Sequence, residues 1–269
     1  MLFPPQTREL QLDEKWAFVL KKQAHCDLEN PDDHTAGDCW DHVAFDPEHR
    51  LVLGVVFGKR SSTKILTLLK QVNEQLERRV PQLVTSDEFS AYATVLKLVW
   101  PEAPAGRQDP RCTHRGRKCL ERTGVDADLN YATVCKERKN GRVVSVTTTV
   151  VCGTAQSVAE ALEASTVSNT INTSFVERHN GTDRHHNARK ARRTYRFSKD
   201  WEIHQAVGHF TMYSYNFCWP VRTLAELVED KTGSGRKRRP RTPAMAAGLT
   251  DHVWPLKEWL ECPVAGISN

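Results

Sequence analysis

Apolar residues in the first part of the chain recur with two periods, first that of a strand and then that of a helix. Between positions 10 and 20 the large apolar residues lie on even positions, as in a half-buried strand; they are Leu10, Leu12, Trp16, Phe18 and Leu20. Two further apolar runs, Cys39–Phe45 and Leu51–Phe57, flank a turn at Asp46-Pro47-Glu48. A turn this short predicts that the two runs form antiparallel neighbouring strands.

A helix and a fourth strand are predicted next. Ser61 has a hydroxyl that suits a helix N-cap, and the apolar residues after it recur at helical spacing: Ile65, Leu66, Leu68, Leu69, Val72 and Leu76. Pro81 ends this helix, and Gln82–Ser86 is typical of a short buried strand. A crossover helix of this length predicts a fourth strand parallel to the first.

The second half of the chain mixes both patterns. The turn signal Asn140-Gly141 predicts a hairpin from two apolar runs, Tyr131–Cys135 and Arg142–Val151. Apolar spacing predicts further helices over Phe89–Trp100, Ser157–Ala164, Phe175–Arg193 and Trp201–Trp219. Together these patterns predict an α/β fold with a mixed sheet flanked by helices.

Composition places the chain among ordinary globular proteins. Its 269 residues are 39% hydrophobic and 26% charged, which excludes a wholly disordered chain. The longest apolar runs are too short to span a bilayer, and the first residues lack the pattern of a signal peptide. Eight cysteines are too few for a disulfide scaffold. We therefore expect a soluble cytoplasmic protein without membrane partners.

Positive charge is concentrated in two segments. The net charge is +5, but residues 178–196 hold seven Lys or Arg against a single acid, Asp183. Arg236–Arg241 holds five basic residues in six. Because such runs neutralise phosphates, we expect nucleic acid as the main partner. The alternative is that each run is only a solvated surface. For the second run the two interpretations are equally open, because a Gly-Ser-Gly sequence typical of flexible loops precedes it.

Three acids stand out by their position in the predicted elements. Asp13 lies in the first strand, Asp87 follows the fourth, and Glu177 lies near the start of a basic helix. If strands one and four are adjacent, the two aspartates converge at one edge of the sheet. Oxygen ligands of this kind suit Mg²⁺ or Mn²⁺. Spacing alone does not single out these three from 33 acids.

The sequence around each acid resembles one known family. Leu12–Val19 resembles the first-aspartate segment of DDE transposases of the insertion-sequence-1 type. Thr85–Tyr92 resembles their second-aspartate segment, and Phe175–Arg184 is similar to their Glu-Arg-x-Asn-x-Thr-x-Arg helix. The resemblance covers most of residues 8–100 and 170–220, in the right order.

This resemblance implies an RNase H-like fold and a transposase that cleaves DNA and transfers strands to move an insertion sequence. Asp13, Asp87 and Glu177 are then the catalytic residues and the ligands of Mg²⁺ or Mn²⁺, with two ions in the site. The residues expected to bind DNA are Arg178, Asn180, Arg184, Arg189, Lys190, Arg192 and Arg193. The implied partners are DNA at the transposon ends and target, a second copy of the chain, and a separately encoded DNA-binding subunit. The implied location is the prokaryotic nucleoid.

Two features depart from the family. The interval between Asp87 and Glu177 holds 89 residues, more than a compact member needs. We therefore expect one catalytic domain over residues 1–230, with an inserted hairpin segment over about 101–155, and a basic tail over residues 231–269. The chain also begins almost on the first catalytic strand, so the DNA-binding region that usually precedes it is expected to be missing.

Two other functions stay open at this point. One is an inactive transposase remnant that binds DNA or regulates without cleaving it, which the expected missing region favours. The other is a stand-alone metal-dependent nuclease with the same acids. The intact acids favour an active transposase.

Other candidate sites are not supported by their spacing. Two groups of cysteines and histidines lack the regularity of a closed zinc site; they are His25, Cys26, His34, Cys39 and His42, and Cys112, His114 and Cys119. His204 and His209 are five residues apart, so no metal-binding histidine pair is predicted. The aromatic residues Tyr213, Tyr215, Phe217 and Trp219 suit core packing of the last helix better than stacking on bases.

Overall fold

The structure is a computed structural model, and it describes residues 6–27, 29–102, 125–191, 193–229 and 236–262. Its strands are β1 (Glu9–Val19), β2 (Gly37–Asp46), β3 (Leu51–Gly58), β4 (Leu83–Ser86), β5 (Asn130–Lys139), β6 (Arg142–Cys152), β7 (Glu226–Glu229) and β8 (Arg236–Arg239). Its α-helices are α1 (Ser62–Gln75), α2 (Ala91–Val99), α3 (Ala155–Glu163), α4 (Ser174–His186), α5 (Trp201–Cys218), α6 (Pro243–Ala246) and α7 (Leu256–Glu261).

A mixed sheet of six strands forms the centre of the fold, in the order β3-β2-β1-β4-β5-β6. β2 pairs antiparallel with β1 and β3, whereas β4 pairs parallel with β1 and β5. The α/β class, the antiparallel β2–β3 pair and the parallel fourth strand are therefore confirmed.

Helices cover both faces of this sheet, which explains why β1 is buried on both sides. On one face, α1 and α2 pack against Leu10 and Leu12 of β1. Ser61 begins α1 by accepting a hydrogen bond from Lys64 N at 3.4 Å. On the other face, Val176 of α4 and Met212 of α5 pack in a second cluster with residues of β1, β2 and β3. The odd-numbered residues of β1, including the first acid, face this second layer.

The predicted hairpin is part of the central sheet, and the expected insertion is not confirmed. β5 pairs with β4 from Leu83–Asn130 to Ser86–Thr133, and its residues 130–134 are buried. β6 completes the hairpin at the sheet edge and is mostly exposed. The segment 101–155 is therefore not one appended module, and its part at residues 103–124 lies outside the described residues.

The basic helix is shorter than predicted, since α4 ends at His186 and not at Arg193. Asn187 has extended backbone dihedral angles and caps the helix, with its N–H donating to Asp183 O at 2.8 Å. The chain then turns so that Lys190 enters the protein interior and pairs with Asp41. Because the Lys190 side chain is buried, the chain around it does not continue α4 as a helix that faces solvent.

Within the expected tail, the described residues 236–262 pack on the domain. β8, from the second basic run, pairs antiparallel with β7. Thr242 caps α6, Ala244 is fully buried, and Trp254 N donates to Phe217 O of α5 at 3.1 Å. None of the helices in the described part of the chain is long and apolar enough to cross a membrane.

Two helical glycines have opposite surroundings and therefore predict opposite effects of alanine. A Cβ at Gly208 of α5 would lie 2.7 Å from Phe57 Cε1, whereas a Cβ at Gly181 of α4 meets nothing within 4 Å. We expect Gly208→Ala to destabilise the fold by about 1–3 kcal/mol through overpacking. Gly181→Ala should stabilise it by up to about 1 kcal/mol through helix propensity. Urea unfolding of both variants measures this difference, and equal free energies of unfolding would contradict the tight α5–β3 packing.

Candidate functional site

Parallel pairing of β1 and β4 aligns the first two acids. Gln11 of β1 is in register with Thr85 of β4. Asp13 and Asp87 each follow these partners by two residues, so the two aspartates lie at the same level on neighbouring strands. The adjacency predicted from the sequence is therefore present.

The N-terminus of α4 is fixed to the same two strands by polar contacts. Gln11 Oε1 accepts hydrogen bonds from the N–H groups of Phe175 and Val176, both at 3.1 Å. Gln11 Nε2 and Thr85 Oγ1 both donate to Asn172 O, at 2.9 and 3.0 Å. Because Glu177 lies in the first turn of α4, these contacts bring the third acid to the edge of the sheet that carries the aspartates.

Asp13 is the most buried of the three acids. Burial, together with the neighbouring charges of Glu14, Asp87 and Glu177 and against a hydrogen bond from Asn180, raises the pKa of its carboxyl to about 7. That bond runs from Asn180 Nδ2 to Asp13 Oδ2 at 2.7 Å. The carboxyl therefore lies within the electrostatic reach of both other acids.

Asp87 is half-exposed and is held by a cation. Arg60 Nη2 donates to Asp87 Oδ2 at 3.1 Å and to Glu14 Oε2 at 2.9 Å. The guanidinium also lies over the ring of Phe89, 4.1 Å from its centroid. Phe89 N donates to Asp87 Oδ1 at 3.1 Å. Both carboxylate oxygens of Asp87 are thus engaged.

Glu177 is likewise half-exposed and paired. Its Oε1 contacts the ammonium of Lys136 on β5 and accepts a hydrogen bond from Thr173 Oγ1 at 2.6 Å. Arg60 and Lys136 therefore each pair with one of the two outer acids, and Arg60 is shared with Glu14. Neither cation stands out in the sequence, because each lies in an ordinary polar context.

Among the described residues, one group of three has potential ligand atoms within 4.8 Å of one another: Cys39, Asp41 and His204. The three acids are more widely spaced than this, with the outer two drawn towards Arg60 and Lys136. Their donor set is all oxygen, and the repulsion between their carboxylates is relieved by a cation. Asp13, Asp87 and Glu177 therefore fit the ligands of Mg²⁺ or Mn²⁺ in chemical type.

The buried Cys39 group does not fit a metal ion. Burial raises the pKa of the Cys39 thiol to about 12, so the thiol stays protonated. Asp41 already pairs with two ammonium groups, those of Lys15 at 3.1 Å and Lys190 at 2.7 Å. A metal cation would have to displace both lysines from a buried site. The cluster is therefore better explained as part of an ionic network.

This ionic network joins β1, β2, α4 and the turn after α4, and it consists of Lys15, Asp41, Asp183 and Lys190. The ammonium of Lys15 contacts Asp183 Oδ2, and Lys190 Nζ lies 3.6 Å from the same oxygen. Burial alone would raise the pKa of Asp183, but the Lys15 and Lys190 charges lower it. Thr211 Oγ1 donates to Asp183 Oδ1 at 3.0 Å. All four charged side chains are buried, and their formal charges cancel.

The network lies directly beside the acids in sequence and in space. Lys15 follows Asp13 by two residues on the same face of β1, and Asp183 follows Asn180 by three residues on α4. The contact between Lys15 and Asp183 therefore fixes α4 against β1 next to the bond between Asn180 and Asp13. The sequence gives no signal for it, because the half-buried pattern of β1 puts Lys15 on the side predicted to face solvent.

The residues predicted to bind DNA have different environments. Asn180 and Lys190 are buried, at 2% and 5% exposure, and are engaged with Asp13 and Asp41. The prediction that they bind DNA is therefore corrected: these side chains position the protein's own residues. Arg192 lies outside the described residues.

Arg178 and the other three arginines line two different clefts. Arg178 is exposed and lines a cleft of about 640 Å³ with Arg50 and Arg222. Arg184 is on the face of α4 that carries Glu177, two helical turns further on, as predicted. A second cleft, of about 780 Å³, is lined by Trp16, Ala17, Phe18, Lys22, Arg184, Arg189, Lys190, Ala191, Arg193, Thr194, Tyr195 and Phe197. We call this cleft the aromatic groove.

Comparison of the chain with models of known protein families finds no match, and comparison with curated proteins finds no similar sequence. The functional interpretation therefore depends on the geometry of the site.

The ionic network predicts a large loss of stability when one charge is removed. In Lys15→Met, Asp183 loses its nearest cation inside the protein, which should cost about 3–5 kcal/mol. Lys70→Met, on the exposed side of α1, is the matched control and should change stability by less than about 0.5 kcal/mol. Chemical denaturation measures both. Equal stabilities of the two variants would show that the network does not hold the layers together.

Proposed function

We propose that this chain is a DDE transposase, which uses divalent metal ions to cleave DNA and to transfer the strand to a target. The observation that carries the proposal is the convergence of Asp13, Asp87 and Glu177 from β1, β4 and α4. The mixed sheet with helices on both faces is compatible with the RNase H-like fold, which we propose for residues 6–229.

In the proposed site, Asp13, Asp87 and Glu177 hold Mg²⁺ or Mn²⁺. Such cations, when bound, activate an attacking oxygen and stabilise charge on the leaving oxygen of a phosphodiester. Asn180 orients the Asp13 carboxyl through the bond to Oδ2, which leaves Oδ1 for a ligand. Arg60 and Lys136, which pair with Asp87 and Glu177, would then be available to contact the reacting phosphate.

The aromatic groove gives the DNA a path away from the acids. Arg184, Arg189 and Arg193 line it and supply positive charge. Arg184 is one helical turn from Asn180, which contacts Asp13, so the groove begins next to the acids. We propose that these arginines hold phosphates of the DNA strand without reading its sequence.

A DNA-binding protein without catalytic activity is the second candidate, and one observation favours it. Asp87 and Glu177 each contact a protein cation, Arg60 or Lys136, as structural ion pairs do. In that case the acids serve stability and the groove alone binds DNA.

Substitution of the acids distinguishes these candidates. Asp13→Ala, Asp87→Ala and Glu177→Ala should each abolish Mg²⁺- or Mn²⁺-dependent cleavage of supercoiled DNA, because each removes a metal ligand. Glu88→Ala removes the exposed carboxylate next to Asp87 and is the control that should keep activity. Circular dichroism checks folding. A transposase site is contradicted if any of the three variants cleaves like the unmodified chain with the same dependence on metal.

Replacing groove arginines should weaken binding to DNA of every sequence. For Arg189→Ala/Arg193→Ala we expect the slope of log Kd against log salt to fall by about one unit for each phosphate that is no longer neutralised. Lys70→Ala/Arg78→Ala removes the same charge from exposed positions on α1 and just after it, and should leave the slope unchanged. Fluorescence titration of a labelled duplex over a salt series measures this. Identical slopes for both double variants would mean that the groove arginines are merely solvated.

A further inference from the structure

We propose that the aromatic groove binds an unpaired DNA strand, whose bases stack on Trp16 and Tyr195 while its phosphates pair with the groove arginines. This inference rests on the proposed function only to explain where the strand comes from. The binding itself follows from the groove's own side chains.

The groove presents aromatic rings to the solvent. Tyr195 is 96% exposed and Trp16 is 38% exposed, although the exposure of rings of this size to water is unfavourable. The Trp16 ring centroid lies 5.7 Å from that of Phe18, which in turn lies 4.9 Å from that of Phe197. The three rings form a continuous aromatic wall, and Tyr195 lies on the same groove. Rings presented in this way are typical of surfaces that stack bases.

The lining of the groove is also positively charged. Four cations outside the ionic network line it: Lys22, Arg184, Arg189 and Arg193. No Asp or Glu lies among the lining residues that the structure describes. The remaining lysine, Lys190, is balanced by Asp41. Even with Lys22, Arg189 and Arg193 alone, the lining is basic and favours an anionic occupant, and a phosphodiester strand combines the matching charge with bases that stack.

The groove lies within a short distance of the acids. Trp16 follows Asp13 by three residues along β1, a distance of about 10 Å at the rise of a strand, and the two side chains lie on opposite sides of that strand. Along the axis of B-form DNA that distance corresponds to about three nucleotides, and a more extended unpaired strand needs fewer. A strand whose phosphate lies at the acids would therefore reach the aromatic wall by crossing the edge of β1, whose pairing with β4 ends at Gln11.

The aromatic wall favours an unpaired strand over a duplex. Bases in a duplex are stacked on each other and offer only their edges in the grooves. Stacking on Trp16 or Tyr195 therefore requires bases that have left the duplex. We infer that the strand end next to the acids is opened before or during cleavage.

The test compares single-stranded and duplex DNA without divalent metal. Fluorescence anisotropy gives the Kd of a labelled oligodeoxythymidylate of about 12 nucleotides, which spans one site of this kind, and of a duplex of the same length. We expect Tyr195→Ala and Trp16→Ala each to weaken binding of the single strand by about 10-fold, as base stacking on a protein ring predicts. Because a duplex cannot stack on the rings, its binding should change by less than about 3-fold.

Phe210→Ala is the matched control, because Phe210 is 39% exposed, like Trp16, but lies on α5 outside the groove. It should bind both DNAs like the unmodified chain. An oligonucleotide with abasic sites keeps its phosphates but has no bases to stack, so it should bind the unmodified chain and Tyr195→Ala equally. Tyr195 is almost fully exposed, so its replacement should not affect folding.

Three outcomes would overturn the inference. They are an unchanged single-strand Kd in Tyr195→Ala, an equal weakening of duplex and single-strand binding, and tighter binding of oligouridylate than of oligodeoxythymidylate. The assay measures DNA binding in the absence of metal. It therefore tests the groove even if the chain does not cleave DNA. Failure of the proposed catalytic function and failure of the groove to bind are therefore separate results.

Discussion

The ion pair between Lys15 and Asp183 is the contact on which the candidate site depends. It joins β1 to α4 inside the protein, with Asp41 and Lys190 completing a neutral set of four charges. Such a set adds little net stability compared with apolar residues, but removal of one member is costly. It therefore fixes the position of α4 on the sheet, and with it the bond between Asn180 and Asp13.

Charges in this protein occur in three environments with different consequences. The buried network is internally balanced and leaves no charge for a ligand. At the sheet edge, Asp87 and Glu177 are each matched by one protein cation. The aromatic groove has an excess of positive charge, because its lining lacks acids among the described residues. This gradient from acids to arginines suits a phosphate chain that runs from the sheet edge into the groove.

The first four strands and α1 could be predicted from the sequence because their apolar periods are clear. The parallel crossover then predicted that Asp13 and Asp87 are adjacent. The end of α4 could not be predicted, since the burial of Lys190 depends on Asp41, 149 residues away. The role of Asn180 was missed for the same reason, because its partner Asp13 lies on another element. The hairpin was recognised, but its place in the central sheet depends on pairing between β4 and β5.

A crystal structure of the chain soaked in Mn²⁺, with anomalous scattering to locate the ion, tests the central claim most directly. The proposed metal site predicts an anomalous peak coordinated by Asp13, Asp87 and Glu177, with the side chains of Arg60 and Lys136 moved away from the two outer acids. Crystals in which Mn²⁺ occupies the Cys39, Asp41 and His204 group, or in which Asp87 and Glu177 keep their protein cations at saturating Mn²⁺, would contradict it.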